Sequence, residues 1–401
     1  MPALLPVAEA LARILDGATP AAAEDVPLAL AAKRVLAEDL AARLTQPPFD
    51  ASAMDGYAVR GEDVRALPAT LTLIGVAAAG RRYTGSVGRG ECVRIFTGAP
   101  VPRGADAIVI QENTRRTDTS VAVVEGSPDP AHIRGRGKDF AEGDVLLHKG
   151  RLLEARTLTL AAAMGHARLP VRARPRVAIL ATGDELVEPG TVPGPDQIVS
   201  SNPYGLHALV AAAGGAPALL GIARDSESDI ERMLGEARDA DVIVTIGGAS
   251  VGDRDLVAPA LEARGMALDF WKIAMRPGKP LLFGRIGTQR VLGLPGNPVS
   301  SLVCARVFLV PLVRALLGLV PEPTGGKTAV MSHALEANGP RAHYMRATLD
   351  ASRTPPTATT IADQDSSLMV PLAAADALVV RAPGAGALPP GSEVPILRLD
   401  F

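Results

Sequence analysis

A regular alternation of apolar strands and amphipathic helices between residues 173 and 321 constrains the fold more than any other feature of the sequence. Strands are predicted at 176–181, 218–223, 241–246, 267–273, 280–284 and 290–294. Helices are predicted at 202–213, at 226–238 with Ser226 as N-cap, near 255–264, and from about 299 onward. Strands that alternate with helices in this way favour a parallel sheet covered by helices on both faces.

The flanking sequence has a different character on each side. A chain of 401 residues is too long for one compact core, so we expect several domains. Helices are predicted near 7–15, 27–42 and 152–164. Short strands are predicted at 71–76, 91–96, 107–111 and 121–125, and again at 328–335, 344–349, 377–381 and 394–399. The pattern predicts a helical frame interrupted by an inserted β-rich region, and a small β-domain at the end.

Charge and residue usage exclude several classes of protein. The net charge of −2 suggests no nucleic-acid or membrane partner, and the first fifteen residues lack the features of a signal peptide. No stretch reaches the ~18 uninterrupted apolar residues of a membrane span; residues 299–319 come closest. Cys92 and Cys304 are far apart, and the six histidines form no zinc motif. A reduced, cytoplasmic setting is therefore expected.

The loops that follow the predicted strands contain the unusual residues. In open α/β sheets, ligands bind beyond the carboxyl ends of the strands. Residues 182–185, 247–255 and 294–301 occupy such positions, and glycine there lets the backbone approach an anion closely. The acidic residues among these loops make sense if a divalent cation joins them to that anion; they are Asp184, Glu185, Asp225 and Asp255. Mg²⁺ held by one or two carboxylates plus phosphate is the common arrangement.

A basic turn lies between two of these loops, in the sequence 270–280. It places Lys272, Arg276 and Lys279 around a Pro-Gly pair, which can aim Arg276 and Lys279 at one doubly charged oxyanion. Each feature also has an ordinary structural interpretation, as a capped turn, a glycine-rich loop, a solvated basic turn or a helix start. Their joint position at strand ends indicates a nucleotide- or phosphate-type anion site, and residue patterns alone lead no further.

The inserted β-rich region contains two further distinctive segments, 52–58 and 95–100. Taken alone, Asp55-Gly56 is typical of a hairpin turn. The charged, glycine-punctuated segment 134–139 is typical of a solvated loop. Neither segment by itself indicates a function.

Seven motifs in order resemble one known family, the molybdopterin molybdenumtransferases, which include the MoeA proteins and the E domain of gephyrin. They are SAMDGYA, RIFTGAPVPRGADAIVIQE, ATGDEL, SNPYGL, GGASVGDRDL, FWKIAMRPGKP and LPGNPVSSLV. The resemblance runs from about Pro6 to the C-terminus. It implies a multidomain α/β fold with a central, mostly parallel, three-layer molybdopterin-binding α/β domain at 173–321. The resemblance implies three further domains. They are an elongated mixed domain at 1–44 and 138–172, an inserted β-rich domain at 45–137 and a C-terminal β-barrel-like domain at 322–401.

The resemblance also implies the reaction and the partners. Molybdate is inserted into adenylyl-molybdopterin with the help of Mg²⁺, which releases AMP and yields the molybdenum cofactor. The active site is composite in a homodimer, between the α/β domain of one subunit and the β-rich domain of the other. A molybdopterin adenylyltransferase and molybdoenzyme-maturation proteins are the expected partners, and neither nucleic acid nor membrane is.

Site residues follow motif by motif from the same resemblance. The expected catalytic residues are Asp55 and Thr97 on the partner's wall, Asp139, Glu185, Asp225 and Asp255. The last three are the expected metal ligands. Substrate contacts are expected from Gly183, Gly247, Gly248, Ser250, Lys272, Pro295, Pro298 and Ser366. The implied molybdate pocket consists of Arg276, Lys279, Pro280 and Arg346.

The chain departs from the family pattern at two places. Lys138 precedes Asp139 where the family tends to have Glu, and Val370-Pro371 stands where the family often has a second Ser-Ser pair. If that pair donates to molybdate, its loss weakens binding by about 1–3 kcal/mol.

Two other functions are compatible with parts of the sequence. A non-catalytic scaffold or cofactor-binding dimer suits an elongated family member, but the retained acids and bases speak against a purely structural role. An adenylyltransferase that makes the substrate resembles 173–321 alone, without the inserted and C-terminal domains.

Overall fold

The computed structural model describes residues 4–248, 256–321 and 327–399. The chain forms two compact units. The larger comprises Met1–Glu24, Lys33–Ala37 and Val171–Phe401, and the smaller comprises Asp25–Ala32 and Glu38–Pro170. The finer division into four domains stays a prediction.

Six strands form the sheet at the centre of the larger unit. They are β1 (Arg176–Thr182), β2 (Ala216–Ala223), β3 (Val242–Ile246), β4 (Ala267–Lys272), β5 (Pro280–Ile286) and β6 (Gln289–Leu294), in the order β2-β1-β3-β6-β5-β4. The four strands β2, β1, β3 and β6 are parallel, β5 is antiparallel to its neighbours β6 and β4, and β4 therefore runs in the same direction as the first four. The connections from β4 to β5 and from β5 to β6 are too short for a crossover helix, so β5 runs in the reverse direction. The expectation of a mostly parallel sheet is confirmed.

Helices cover this sheet on both faces. They are α1 (Asn202–Ala212), α2 (Glu227–Glu236), α3 (Val257–Ala263) and α4 (Pro298–Leu316). Helices α2 and α3 share one buried core with Ala178 and Leu180 of β1. The alternate side chains of β1 are buried on the opposite face, where α1 packs against β1 and α4. Ser226 is the N-cap of α2, as predicted, since its hydroxyl accepts the N–H of Asp229 at 3.3 Å.

Helix α4 departs from the expectation that no stretch of the chain is long and apolar enough to span a membrane. It continues for 19 residues with a mean hydropathy of 1.8, so by length and composition it is long enough to cross a membrane, unlike any other helix in the described ranges. However, 78% of its apolar window is buried inside the protein, and its second half packs against the helix Val7–Leu15. Arg306, which interrupts the apolar run in sequence, donates to the carbonyl oxygen of Arg398 at 3.1 Å. We therefore interpret α4 as the core helix of this unit.

The end of the chain closes into a barrel, which confirms the expected C-terminal β-domain. Its five strands are Lys327–Met331, Ala342–Asp350, Thr357–Thr360, Ala377–Arg381 and Glu393–Arg398. Small buried residues such as Ala329, Ala347 and Ala358 fill its core. The two-residue strand Met275–Arg276 of the basic turn pairs in parallel with Ala342–His343 on this barrel. The turn is thereby fixed to the barrel. The remaining elements of the larger unit are Leu186–Val187, Ile198–Val199 and the short helix Met369–Ala373.

The smaller unit contains a six-stranded sheet with strands Gly56–Val59, Ala69–Ala77, Glu91–Ile95, Ala107–Ile110, Thr114–Arg116 and Ser120–Val123. The helix Ala155–Ala163 and the short strands Leu40–Ala41, Ala51–Ser52, Ile133–Arg134 and Val145–Leu147 complete it; Ala23–Pro27 and Arg168–Arg172 are also strands. The predicted helix near 27–42 is wrong. A 3-10 turn at Leu28–Leu30 is followed by Lys33 at φ +61°, and Leu40–Ala41 pairs with Val145–Leu147. Strand pairing there overrides the helix propensity of the alanines.

Candidate active site at the carboxyl ends of the sheet

A cleft of about 590 Å³ opens at the carboxyl ends of the parallel strands in the larger unit. Seven of the predicted substrate-binding residues line it: Gly247, Gly248, Arg276, Lys279, Pro280, Pro295 and Ser366. The structure therefore brings together the glycine loop after β3, the loop after β6, the basic turn and one loop of the barrel. The sequence pattern predicted that these segments follow strands, and the fold brings them together around one cleft.

The glycines of the strand-end loops allow close approach between neighbouring backbones. Gly247 has φ +89°, and a Cβ atom there would lie 2.9 Å from the carbonyl oxygen of Thr182 at the end of β1. Only glycine fits such a position without displacing the adjacent strand. The backbone of Gly247 and Gly248 can thus form one wall of the cleft.

Gly278 fixes the basic turn against helix α4. It has φ +108°, and a Cβ atom there would overlap with the Sγ of Cys304, which is fully buried in α4. Burial raises the pKa of the Cys304 thiol far above its usual value, so Cys304 is an uncharged packing partner. The close contact holds the segment between Arg276 and Lys279 in place, and both side chains are exposed at the cleft.

The cleft is electropositive. Arg276, Lys279 and Arg341 line it, and no ion pair forms to any of them among the residues that the structure describes. Burial, together with Arg276, Arg341 and Arg381, lowers the pKa of nearby His343 to about 4. Burial is the largest cause of this lowered pKa, and the nearby arginine charges add to it. An anion is the ligand that such a cleft favours.

Asn297 links the barrel loop to the start of helix α4. Its side-chain amide donates to the hydroxyl oxygen of Ser366 at 2.8 Å, and the N–H of Val299 donates to the Ser366 carbonyl at 3.1 Å. The Ser366 oxygen accepts this hydrogen bond and Ser366 lines the cleft, so its O–H group is available to donate to a ligand there. Ser366 therefore has the polarity that an oxyanion requires.

Arg346 is placed differently from the expectation that it lines the molybdate pocket. It is fully buried and does not line the cleft. Its guanidinium donates to the carbonyl oxygens of Asp363, Asp365 and Leu368 at 2.9–3.0 Å, which holds the loop that carries Ser366. Burial lowers its pKa from the usual arginine value. The geometry makes Arg346 a positioning residue rather than a direct ligand of an anion.

Exposed carboxylates lie at the ends of β1 and β2. The carboxylate of Glu185 lies against Gly183, where a Cβ atom would meet it at 2.5 Å, and the N–H of Asp225 donates to Asp184 at 3.1 Å. No cluster of three potential metal ligands occurs in residues 4–248, 256–321 and 327–399. Asp255 and Ser250 lie outside the described residues. Glu185 and Asp225 are exposed carboxylates, the type of ligand that Mg²⁺ takes one or two at a time together with substrate phosphates.

Three other positions from the sequence analysis are not among the residues that line the cleft. Lys272 has its ammonium 3.5 Å from the ring centroid of Trp271. Pro298 lines a separate apolar pocket of about 360 Å³, together with Met369. Val370, at the position of the missing Ser-Ser pair, is exposed in the short helix Met369–Ala373, and neither it nor Pro371 lines the cleft. The proposed loss of a molybdate donor at 370–371 therefore has no support in this geometry.

Asp55 and Thr97 are brought together in the smaller unit. The N–H and the hydroxyl of Thr97 both donate to Oδ1 of Asp55 at 2.8 Å, and these bonds lower the pKa of Asp55. The hairpin interpretation of Asp55-Gly56 is wrong, because Gly56 begins a strand between two others and a Cβ atom there would overlap with the backbone of Val109. The pair is an ionised carboxylate held in one orientation.

Asp139 lines a second cleft, of about 530 Å³, within the smaller unit. Lys138, Arg134 and Gly98, the neighbour of Thr97, line the same cleft. The segment is held by a hydrogen bond from the N–H of Asp139 to the carbonyl oxygen of Gln46 at 3.0 Å. The smaller unit thus has a concave, charged surface of its own, where the sequence alone indicated a solvated loop.

Sequence reasoning missed Arg341, Asn297 and Gln364 as lining residues of the main cleft. Arg341 immediately precedes the barrel strand that pairs with the basic turn. Its place in the cleft follows from that pairing and has no signal in the local sequence. Asn297 belongs to a loop that was recognised, and its position before a proline-started helix is the available signal.

Comparison with known proteins agrees with this arrangement. Family models match residues 5–165 (MoeA N-terminal region, domain I and II), 178–315 (probable molybdopterin binding domain) and 328–399 (MoeA C-terminal region, domain IV). Molybdopterin molybdenumtransferase 2 of Mycobacterium tuberculosis is 41% identical over 335 residues, which is 81% of this chain and 83% of that protein. Molybdopterin molybdenumtransferase of Haemophilus influenzae is 38% identical over 75% of this chain and 74% of its own length.

A solved structure shows the same fold over the full length. The molybdopterin biosynthesis MoeA protein from Pyrococcus horikosii superposes with a TM-score of 0.86 and 30% identity, and the match covers 100% of both chains. The matches include the N-terminal and C-terminal regions that an isolated molybdopterin-binding domain lacks. The chain therefore belongs to the MoeA family of molybdopterin molybdenumtransferases.

Proposed function

We propose that this chain inserts molybdate into adenylyl-molybdopterin, releases AMP and so completes the molybdenum cofactor. The observation that carries the proposal is the electropositive cleft at the carboxyl ends of the sheet, with Arg276 and Lys279 on a rigid turn and Ser366 as a hydroxyl donor. A tetrahedral dianion such as molybdate is the ligand that this set suits. Relatives named molybdopterin molybdenumtransferase support the same reaction.

The substrate and metal roles are assigned to the loops around that cleft. Gly183, Gly247, Gly248 and Ser250 cradle the adenylylated pterin, with Pro295 as a further contact and Pro280 beside the molybdate. Lys272 and Pro298 do not line the cleft itself, and their proposed contacts are with substrate that extends beyond it. Glu185, Asp225 and Asp255 hold Mg²⁺. When bound, the ion neutralises the charge on the phosphoanhydride. The protein's own part is to orient the leaving AMP phosphate against an attacking water or molybdate oxygen, in a site where charge is stabilised by fixed dipoles.

The smaller unit contributes the opposite wall in this proposal. Asp55, Thr97 and Asp139 act in the site of the partner subunit of a homodimer. What supports this is that the ionised Asp55–Thr97 pair and the Asp139 cleft are both preformed, and that neither is part of the main cleft that Arg276 and Lys279 line. The assembly works in the cytoplasm, next to a molybdopterin adenylyltransferase and molybdoenzyme-maturation proteins.

The purified chain tests the proposal directly. Incubated with adenylyl-molybdopterin and Mg²⁺, it is expected to release AMP only when molybdate is added. Intact adenylylated substrate after long incubation contradicts the proposal and favours a scaffold. Formation of adenylyl-molybdopterin from ATP and molybdopterin contradicts it in favour of an adenylyltransferase. Mixing an Asp55→Asn variant with an Arg276→Gln variant tests the composite site, because exchange of subunits restores one intact site per heterodimer.

A further inference from the structure

Arg341 is a cleft residue that no sequence motif points to. It lies at the end of the loop before the barrel strand Ala342–Asp350, which pairs with the basic turn through Ala342 and His343. This pairing brings Arg341 into the same cleft as Arg276 and Lys279. Within the described part of the chain, the hydrogen bond of Arg341 is at its backbone carbonyl, which accepts from the side chain of Asn338 at 2.9 Å. Its guanidinium has no protein acceptor among the residues that the structure describes.

The charge of the cleft depends on this residue. Among the described lining residues, Arg276, Lys279 and Arg341 are cationic and Asp365 is the single carboxylate, which leaves a net formal charge of +2. Asp365 is already committed, since the N–H and hydroxyl of Ser367 donate to its Oδ1 at 2.8 and 2.7 Å. Other lining groups such as Asn297, Ser300 and Gln364 are neutral. Without Arg341, the lining charge falls to +1.

We propose that Arg341 sets the charge selectivity of the oxyanion site, so that the cleft selects tetrahedral dianions over monoanions of similar shape. This inference rests on the proposed function, because it concerns the same cleft. A net charge of +2 neutralises a dianion, whereas +1 neutralises a monoanion. Hydrogen-bond donors such as Ser366 recognise the tetrahedral arrangement of oxygens, and this arrangement is the same in a dianion and in a monoanion of similar shape. Charge is therefore the property by which the two classes of anion differ.

Binding of molybdate and of perrhenate, a tetrahedral monoanion, measures this selectivity. The affinity for each is determined by calorimetry on the full-length chain at fixed ionic strength, since charge effects are screened by salt. The wild type is expected to prefer molybdate. Arg341→Gln is expected to reduce the ratio of the two affinities about tenfold, because the lost cation attracts a dianion twice as strongly as a monoanion. Arg341→Lys is expected to keep the preference.

Arg353→Gln is the matched control. It removes the same charge from an exposed turn of the same barrel and does not line the cleft, so the ratio is expected to stay unchanged. An unchanged ratio in Arg341→Gln, with molybdate binding lost in Arg276→Gln, overturns the role of Arg341 and leaves the proposed function standing. A wild type that binds both anions equally also overturns it. A wild type with neither molybdate binding nor molybdate-dependent AMP release contradicts the proposed function itself.

Discussion

Replacing Gly278 with alanine should disrupt the basic turn, and the structure gives the magnitude. Gly278 has φ +108°, a region essentially limited to glycine, so alanine there costs about 1–3 kcal/mol of backbone strain. The new methyl group also overlaps with the Sγ of buried Cys304, and overpacking of this kind costs about 1–3 kcal/mol. We expect Gly278→Ala to lower the free energy of unfolding by about 2–6 kcal/mol and to weaken molybdate binding, because Arg276 and Lys279 flank the displaced residue.

Urea unfolding followed by fluorescence measures the first effect, since the only tryptophan, Trp271, lies seven residues before Gly278. The double variant Gly278→Ala/Cys304→Ala separates the two costs. Removing the sulfur makes room for the methyl group, so the double variant should be more stable than the sum of the single changes predicts, by at least about 1 kcal/mol. Full stability and full molybdate affinity in Gly278→Ala, or strict additivity in the cycle, refutes this reasoning.

Three further predictions concern side chains whose partners are known. Arg346→Met leaves three carbonyl oxygens of the barrel loop without a donor; it should lower the free energy of unfolding by about 3 kcal/mol and weaken molybdate binding through displacement of Ser366, as measured by urea unfolding and calorimetry. His343 has a pKa of about 4 in the fold against 6.5 unfolded, so the stability that it contributes is present above pH 6.5 and is lost as the pH falls toward 4; His343→Gln should flatten this part of a pH–stability profile. The pKa of Asp55 is lowered mainly by Thr97, so its contribution is present above the unfolded pKa of 3.8 and disappears below it; NMR titration should show the Asp55 pKa rising in Thr97→Val.

The strand and helix pattern of the α/β domain could be predicted because its signals are local. Ser226 caps its helix as expected, and the apolar runs of β1 and β3 are the buried parallel strands that their composition indicates. The segment 27–42 misled the prediction for the opposite reason. Alanines there favour a helix locally, whereas pairing with a strand about one hundred residues away decides the outcome. Gly56 led to a wrong hairpin prediction for a similar reason. The glycine is required by close contact with a neighbouring strand and not by a turn.

The residues of the candidate site also fall into two groups, those that a local sequence pattern reveals and those that depend on long-range contacts. Arg276 and Lys279 could be identified because the turn that presents them is contiguous in sequence. Arg341 could not, because it enters the cleft only through the pairing of a two-residue strand with the barrel. Arg346 was recognised as important by family resemblance, yet its chemistry is set by burial, since an arginine without exposure binds the carbonyl oxygens around it rather than a ligand.

The barrel therefore does more than follow the α/β domain in the chain. It holds the basic turn through Met275–Arg276, supplies Arg341, and presents Ser366 on a loop that Arg346 fixes from below. An anion site built by the α/β domain alone would keep the glycine loops, Arg276 and Lys279, and would lack Arg341, Asp365 and Ser366. The barrel adds one cation, Arg341, the hydroxyl of Ser366, and one carboxylate, Asp365, whose Oδ1 already accepts the N–H and the hydroxyl of Ser367. The proposed preference for dianions therefore depends on where the barrel places Arg341, and deletion of the barrel should remove this preference even where the sheet still folds.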